Sequence, residues 1–127
     1  MPSESRVSSE LASSILREVP PDKAFFFYRA IDSPLYVSAR SLTEFLARIS
    51  TVEPASLAFH SKRRDFENWI SMLGDEDLAK RLAGVRGARL RDEPLRAMLY
   101  DTTKSRIQQL SRIGTINPAS QESTSGA

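Results

Sequence analysis

Residues 23–39 read Lys-Ala-Phe-Phe-Phe-Tyr-Arg-Ala-Ile-Asp-Ser-Pro-Leu-Tyr-Val-Ser-Ala, and this stretch decides the fold. The aromatic run over residues 23–31 has no helical spacing. It is bracketed by Pro20-Pro21 on one side and Asp32-Ser33-Pro34 on the other. Aromatic side chains suit a pleated, half-buried surface, so the run predicts a strand. Residues 35–39 follow the Asp-Ser-Pro turn directly and predict its antiparallel partner. Two strands alone are marginal in water, so helices must cover one face of the hairpin.

Downstream, helix signals are regular. Ser41 precedes Leu42, Phe45, Leu46 and Ile49 at helical spacing, with Glu44 three residues after it, which is the capping-box arrangement. Pro54 suits a first helical turn, where its missing N–H costs nothing, and opens a helix to about residue 62. Asp65 either caps a following helix or sits inside a continuous one, on which Phe66, Trp69, Ile70 and Leu73 form one stripe. Gly74 ends that helix and Asp75 caps the next, where Leu78, Leu82 and Val85 align before Gly84 and Gly87 interrupt. The last helix starts at Asp92-Glu93-Pro94, with acids at its positive end, and runs to about residue 111. The expected fold is α+β and helix-dominated: one small domain with an N-terminal two-stranded hairpin, about four helices and flexible tails.

A chain of 127 residues is the size of one domain. Residues 1–20 read as an N-terminal tail with a short helix near residues 9–17, residues 21–113 as the globular domain, and residues 114–127 as a disordered C-terminal tail. With no cysteine and a single histidine, His60, disulfides, thiolate metal sites and histidine pairs are excluded. No apolar run approaches the roughly 20 residues that cross a bilayer, and no signal segment opens the chain, so a cytoplasmic protein without membrane attachment is expected. The net charge is only +2, but residues 60–112 hold twelve basic against eight acidic side chains. That excess suits contact with phosphate or an acidic partner, although interspersed acids break up any long basic stripe.

The segment Ala58-Phe59-His60-Ser61-Lys62-Arg63-Arg64-Asp65-Phe66-Glu67-Asn68-Trp69-Ile70, followed by Leu73-Gly74-Asp75-Glu76-Asp77-Leu78-Ala79, resembles a mostly archaeal and bacterial domain family of unknown function. In that family an aromatic strand precedes a Ser-Leu helix, a Phe-His pair, an Asp-Phe-x-x-Trp segment and a Gly-Asp-x-x-Leu-Ala segment. The resemblance spans about residues 23–110, with Pro94 as a departure. It implies a fold and carries no activity, substrate or catalytic set.

Two constellations carry candidate chemistry. His60, Arg63, Arg64, Asp65 and Trp69 gather at a helix junction, with His60 and Arg64, and Asp65 and Trp69, spaced i, i+4. One reading is an anion or partner site in which His60 and Arg64 bind, Asp65 orients the guanidinium and Trp69 is a wall. The other is architecture, with Asp65 paired to an arginine, His60 satisfied at a helix end and Trp69 in the core. On the last helix Arg106 falls inside the apolar arc of Leu95, Met98, Leu99, Ile107 and Leu110, so either its stem snorkels outward or its guanidinium is partly buried and paired with a carboxylate, for which Asp65 is the candidate.

No catalytic, cofactor-binding or metal-binding set is expected. Asp75-Glu76-Asp77 reads as an acidic first helical turn, and no phosphate loop, nucleophile elbow or dinucleotide fingerprint occurs. The sequence points to a non-catalytic binding or regulatory module for a protein or anionic ligand. The alternative is a nucleic-acid-associated protein, with Phe25, Phe27 and Tyr28 as a stacking surface or the arginines of residues 62–64 and of an 84–91 loop on phosphates.

Overall fold

Phe25 and Phe27 are buried while Phe26 between them is exposed, so the aromatic run alternates as a strand must. The computed structural model describes residues 7–115. In it β1 (Phe25–Ala30) pairs antiparallel with β2 (Ser33–Ala39). The pairing begins in register at Phe25 opposite Ala39 and is broken twice by bulges further along. Asp32 in the turn and Tyr36 in the bulged stretch adopt φ of 63° and 60°.

Six α-helices surround the hairpin among the described residues: α1 (Ser9–Ile15), α2 (Leu42–Ile49), α3 (Pro54–Arg63), α4 (Asp65–Leu73), α5 (Glu76–Gly87) and α6 (Asp92–Thr115). The α+β, helix-dominated reading holds, with more helices than expected. One reason is Arg64, whose φ of 66° ends α3 and starts α4. Of the two readings of Asp65 the separate helix holds, although the junction residue is an arginine, which rarely takes the left-handed conformation.

α1 is the short helix expected near residues 9–17, but it is part of the core. The segment expected as a tail contributes Ala12, Ile15 and Val19 to the core, and α1 packs against α6. Val19 N–H donates to Arg40 O at 2.7 Å and Arg40 Nε donates to Val19 O at 2.8 Å, fastening this segment to the end of β2. The folded unit therefore includes residues 9–19. Of the expected C-terminal tail, residues 116–127 lie outside the described residues, and α6 continues to Thr115.

The caps follow the sequence with one adjustment. Ser41 Oγ accepts from Glu44 N–H at 3.1 Å, while the Glu44 carboxylate accepts from Arg40 N–H at 2.7 Å, one residue before the expected reciprocal partner. Gly84 and Gly87 do not interrupt α5, which runs through both and shortens the expected loop to residues 88–91.

Phe25 is the centre of the core, with the rings of Phe27, Phe45, His60, Phe66 and Trp69 at centroid distances of 4.8–5.8 Å. Packing against the helices thus takes up Phe25 and Phe27, which removes them as a stacking surface. Of the two readings of Arg106 the buried one holds, but its partner is Asp75 and not Asp65. Nε donates to Asp75 Oδ2 at 2.8 Å and Nη2 to Oδ1 at 2.9 Å. The α4–α5 turn carries Asp75 to the side of α6, whereas Asp65, at the other end of α4, is held by His60 and Arg63.

Candidate functional site

His60 lies in the last turns of α3 and is buried, facing the edge of β1 that β2 leaves open. Its Nε2 accepts from the Tyr28 backbone N–H at 2.8 Å. Since a peptide N–H can only donate, Nε2 carries no proton, and the neutral ring is protonated on Nδ1. Nδ1 then donates to Asp65 Oδ2 at 2.8 Å, an oxygen that also accepts from Arg63 Nε at 3.1 Å. Burial holds the His60 pKa below its ordinary value of 6.5 and Arg63 lowers it slightly further, while the hydrogen bond and charge of Asp65 oppose the shift only in part.

Trp69 serves the same edge one helix later. It is buried in the core, and its Nε1–H donates to the Lys23 carbonyl at 2.9 Å, where the chain enters β1. An open strand edge presents unpaired backbone groups; here the imidazole from α3 satisfies one in the middle of β1, and the indole from α4 holds a carbonyl just before the strand begins.

Between these two fastenings lies a shallow cleft of about 410 Å³. Its walls are apolar: Phe25, Phe26, Tyr28, Ile31, Phe59 and Trp69. Phe26 is 52% exposed and Ile31 69% exposed, so the cleft opens onto an uncovered apolar surface of the hairpin. Arg63, Asp65 and Asp32 line its polar side, and the Arg63 guanidinium lies 5.0 Å above the Phe59 ring.

The structure brings together His60, Arg63, Asp65 and Trp69 around this cleft and leaves Arg64 out of it. Arg64 is exposed at the α3–α4 break. The anion cradle expected from His60 with Arg64 does not form: both imidazole nitrogens are committed, and no N–H of His60 faces solvent. Asp65 makes no capping hydrogen bond to α4, and its carboxylate instead joins His60 to Arg63. The sequence reading missed Phe26, Ile31 and Phe59. The signal for Phe26 was present, because a residue between two buried strand neighbours must point the other way. Among the described residues, no group of three His, Cys, Asp or Glu side chains is placed to hold a metal ion, and no helix is long and apolar enough to cross a membrane.

Hairpin, helix layer and cleft define a small α+β domain with an apolar recess beside the hairpin. The chain belongs to the family of unknown function DUF5752, whose family model matches residues 5–104. No curated protein and no solved structure matches it.

Proposed function

We propose that this domain is a non-catalytic binding module whose cleft takes an apolar side chain of a protein partner. One observation carries the reading: the apolar recess continues into the exposed side chains Phe26 and Ile31 instead of being closed over. Monomeric proteins seldom leave such rings uncovered next to a concave site without use for them, and an aromatic anchor in a pocket is the usual centre of an interface. The chemistry beside it is spent on architecture. With both His60 nitrogens committed, the imidazole has no free lone pair for a general base, and the Asp65 carboxylate is shared between two donors.

Selection of a displayed random peptide library on the protein, with a Phe26→Ser/Ile31→Ser variant as the counter-selection, tests this. Peptides sharing aromatic or aliphatic anchors should be enriched on the wild type alone. Added to the protein, they should alter the emission of Trp69, the single tryptophan. Enrichment that is equal on both proteins, or absent, overturns the reading.

A further inference from the structure

Beside the cleft, α4 and α5 bring two distant basic segments to one end of the molecule. The Arg86 guanidinium grips the Glu67 carboxylate, Nε to Oε1 at 2.9 Å and Nη2 to Oε2 at 3.3 Å, and so sets the last turn of α5 beside the first turn of α4. Arg64 lies three residues before Glu67, and Arg89 three residues after Arg86. That step is close to one helical turn in each case, so both arginines emerge past the same end of the helix pair. Lys62 and Arg91 lie two residues further out along each segment.

These four side chains differ from their neighbours in one respect. Arg63 and Arg86 are paired with Asp65 and Glu67, whereas Lys62, Arg64, Arg89 and Arg91 are exposed and have no ion pair or side-chain hydrogen bond with any described residue. Arg64 and Arg89 also hold φ of 66° and 56° at the ends of α3 and α5, where glycine sits without strain. Both junctions therefore carry a residue that is unfavourable for the backbone and whose side chain pairs with no described residue. What it offers is charge to a group outside the fold.

The cationic end adjoins the cleft through Arg63, which stacks on Phe59 and is flanked in sequence by Lys62 and Arg64. Resting on the cleft reading above, we propose that the partner is an acidic protein segment. An apolar residue of the segment occupies the cleft, and its carboxylates lie over Lys62, Arg64, Arg89 and Arg91. Charge complementarity selects this occupant. A nucleic-acid strand fits less well: Trp69 is buried and one face of Phe59 is covered by a guanidinium, which leaves a narrow platform for stacked bases.

Fluorescence anisotropy of the full chain with labelled synthetic probes tests the proposal. The probes are a Leu-Phe pair flanked by glutamates, the same peptide with glutamines, a glutamate run without the pair, and a single-stranded DNA oligonucleotide. The glutamate-flanked peptide should bind about tenfold or more tighter than the glutamine peptide, an advantage lost in high salt and in an Arg64→Gln/Arg89→Gln variant. Equal binding of the glutamine peptide overturns the acidic partner and leaves the cleft reading intact. Equal binding of the bare glutamate run, indifferent to Phe26→Ser, overturns the cleft's part in it. Absence of all peptide binding, or an oligonucleotide bound more tightly than any peptide, overturns the proposal outright. Melting curves of each variant separate lost binding from lost folding.

Discussion

Asp75 and Arg106 form a two-point ion pair with both residues buried, and the same aspartate caps α5 by accepting from Leu78 N–H at 3.0 Å. The last helix and the start of α5 are thus fixed by one carboxylate. Arg106→Ala strands that carboxylate in the core, and a loss of about 3–5 kcal/mol in unfolding free energy is expected. Asp75→Ala removes the cap as well and should cost about 1 kcal/mol more. Urea titrations of both variants and of the double variant measure the coupling, and additive losses would refute it.

Stability should fall with acid on account of His60. Its pKa is lower folded than unfolded because of burial, so as pH drops the unfolded chain takes the proton first. The contribution is complete above the unfolded value of about 6.5 and is lost as pH falls from there toward the folded value. Protonated Nε2 would also face the Tyr28 N–H, donor against donor, and release β1 from α3. Unfolding midpoints at about pH 7.5 and about pH 5.5 should differ in the wild type, and the difference should shrink in His60→Gln.

The glycines divide by backbone conformation. At Gly84 and Gly87, inside α5, an added Cβ meets nothing within 4 Å, so Gly84→Ala and Gly87→Ala should each stabilise by about 0.5–1 kcal/mol. Gly74 holds φ of 108° at the end of α4, and Gly74→Ala should destabilise by about 1–2 kcal/mol. Thermal melts of the three single variants decide this, and a gain at Gly74 would contradict the assignment.

Arg64→Gly and Arg89→Gly are expected to raise stability by up to about 1 kcal/mol each, since the left-handed backbone suits glycine and no internal contact is lost. Denaturant midpoints that move down instead would mean that these arginines support the fold.

Much of the architecture was legible because it is written locally. Ser41 with Glu44, Pro54, Gly74 and Asp75 each satisfy or end a helix through neighbours a few residues away, and the structure places each of them at a helix terminus. The partner of Arg106 was not local. That a buried guanidinium needs a carboxylate follows from its apolar neighbours, but the sequence reading points to Asp65 and takes Asp75 only as a helix cap, and only the α4–α5 turn decides that Asp75 reaches α6. The break at Arg64 stays open in the sequence for a related reason, since no glycine or proline marks it and Asp65 suits either a new helix or a continuous one. In the site, His60, Arg63, Asp65 and Trp69 were found by density of chemistry, whereas Phe26 and Ile31 depended on which strand face the helices cover.

The contact between α1 and α6 sets a condition on synthesis. The first helix of the described chain buries Ala12 and Ile15 against the last one, which emerges from the ribosome about eighty residues later. Until then Ala12 and Ile15, buried in the finished fold, lack the helix that packs against α1. The packing of α1 therefore waits on a helix about eighty residues downstream, a non-local contact whose closure comes late on the ribosome.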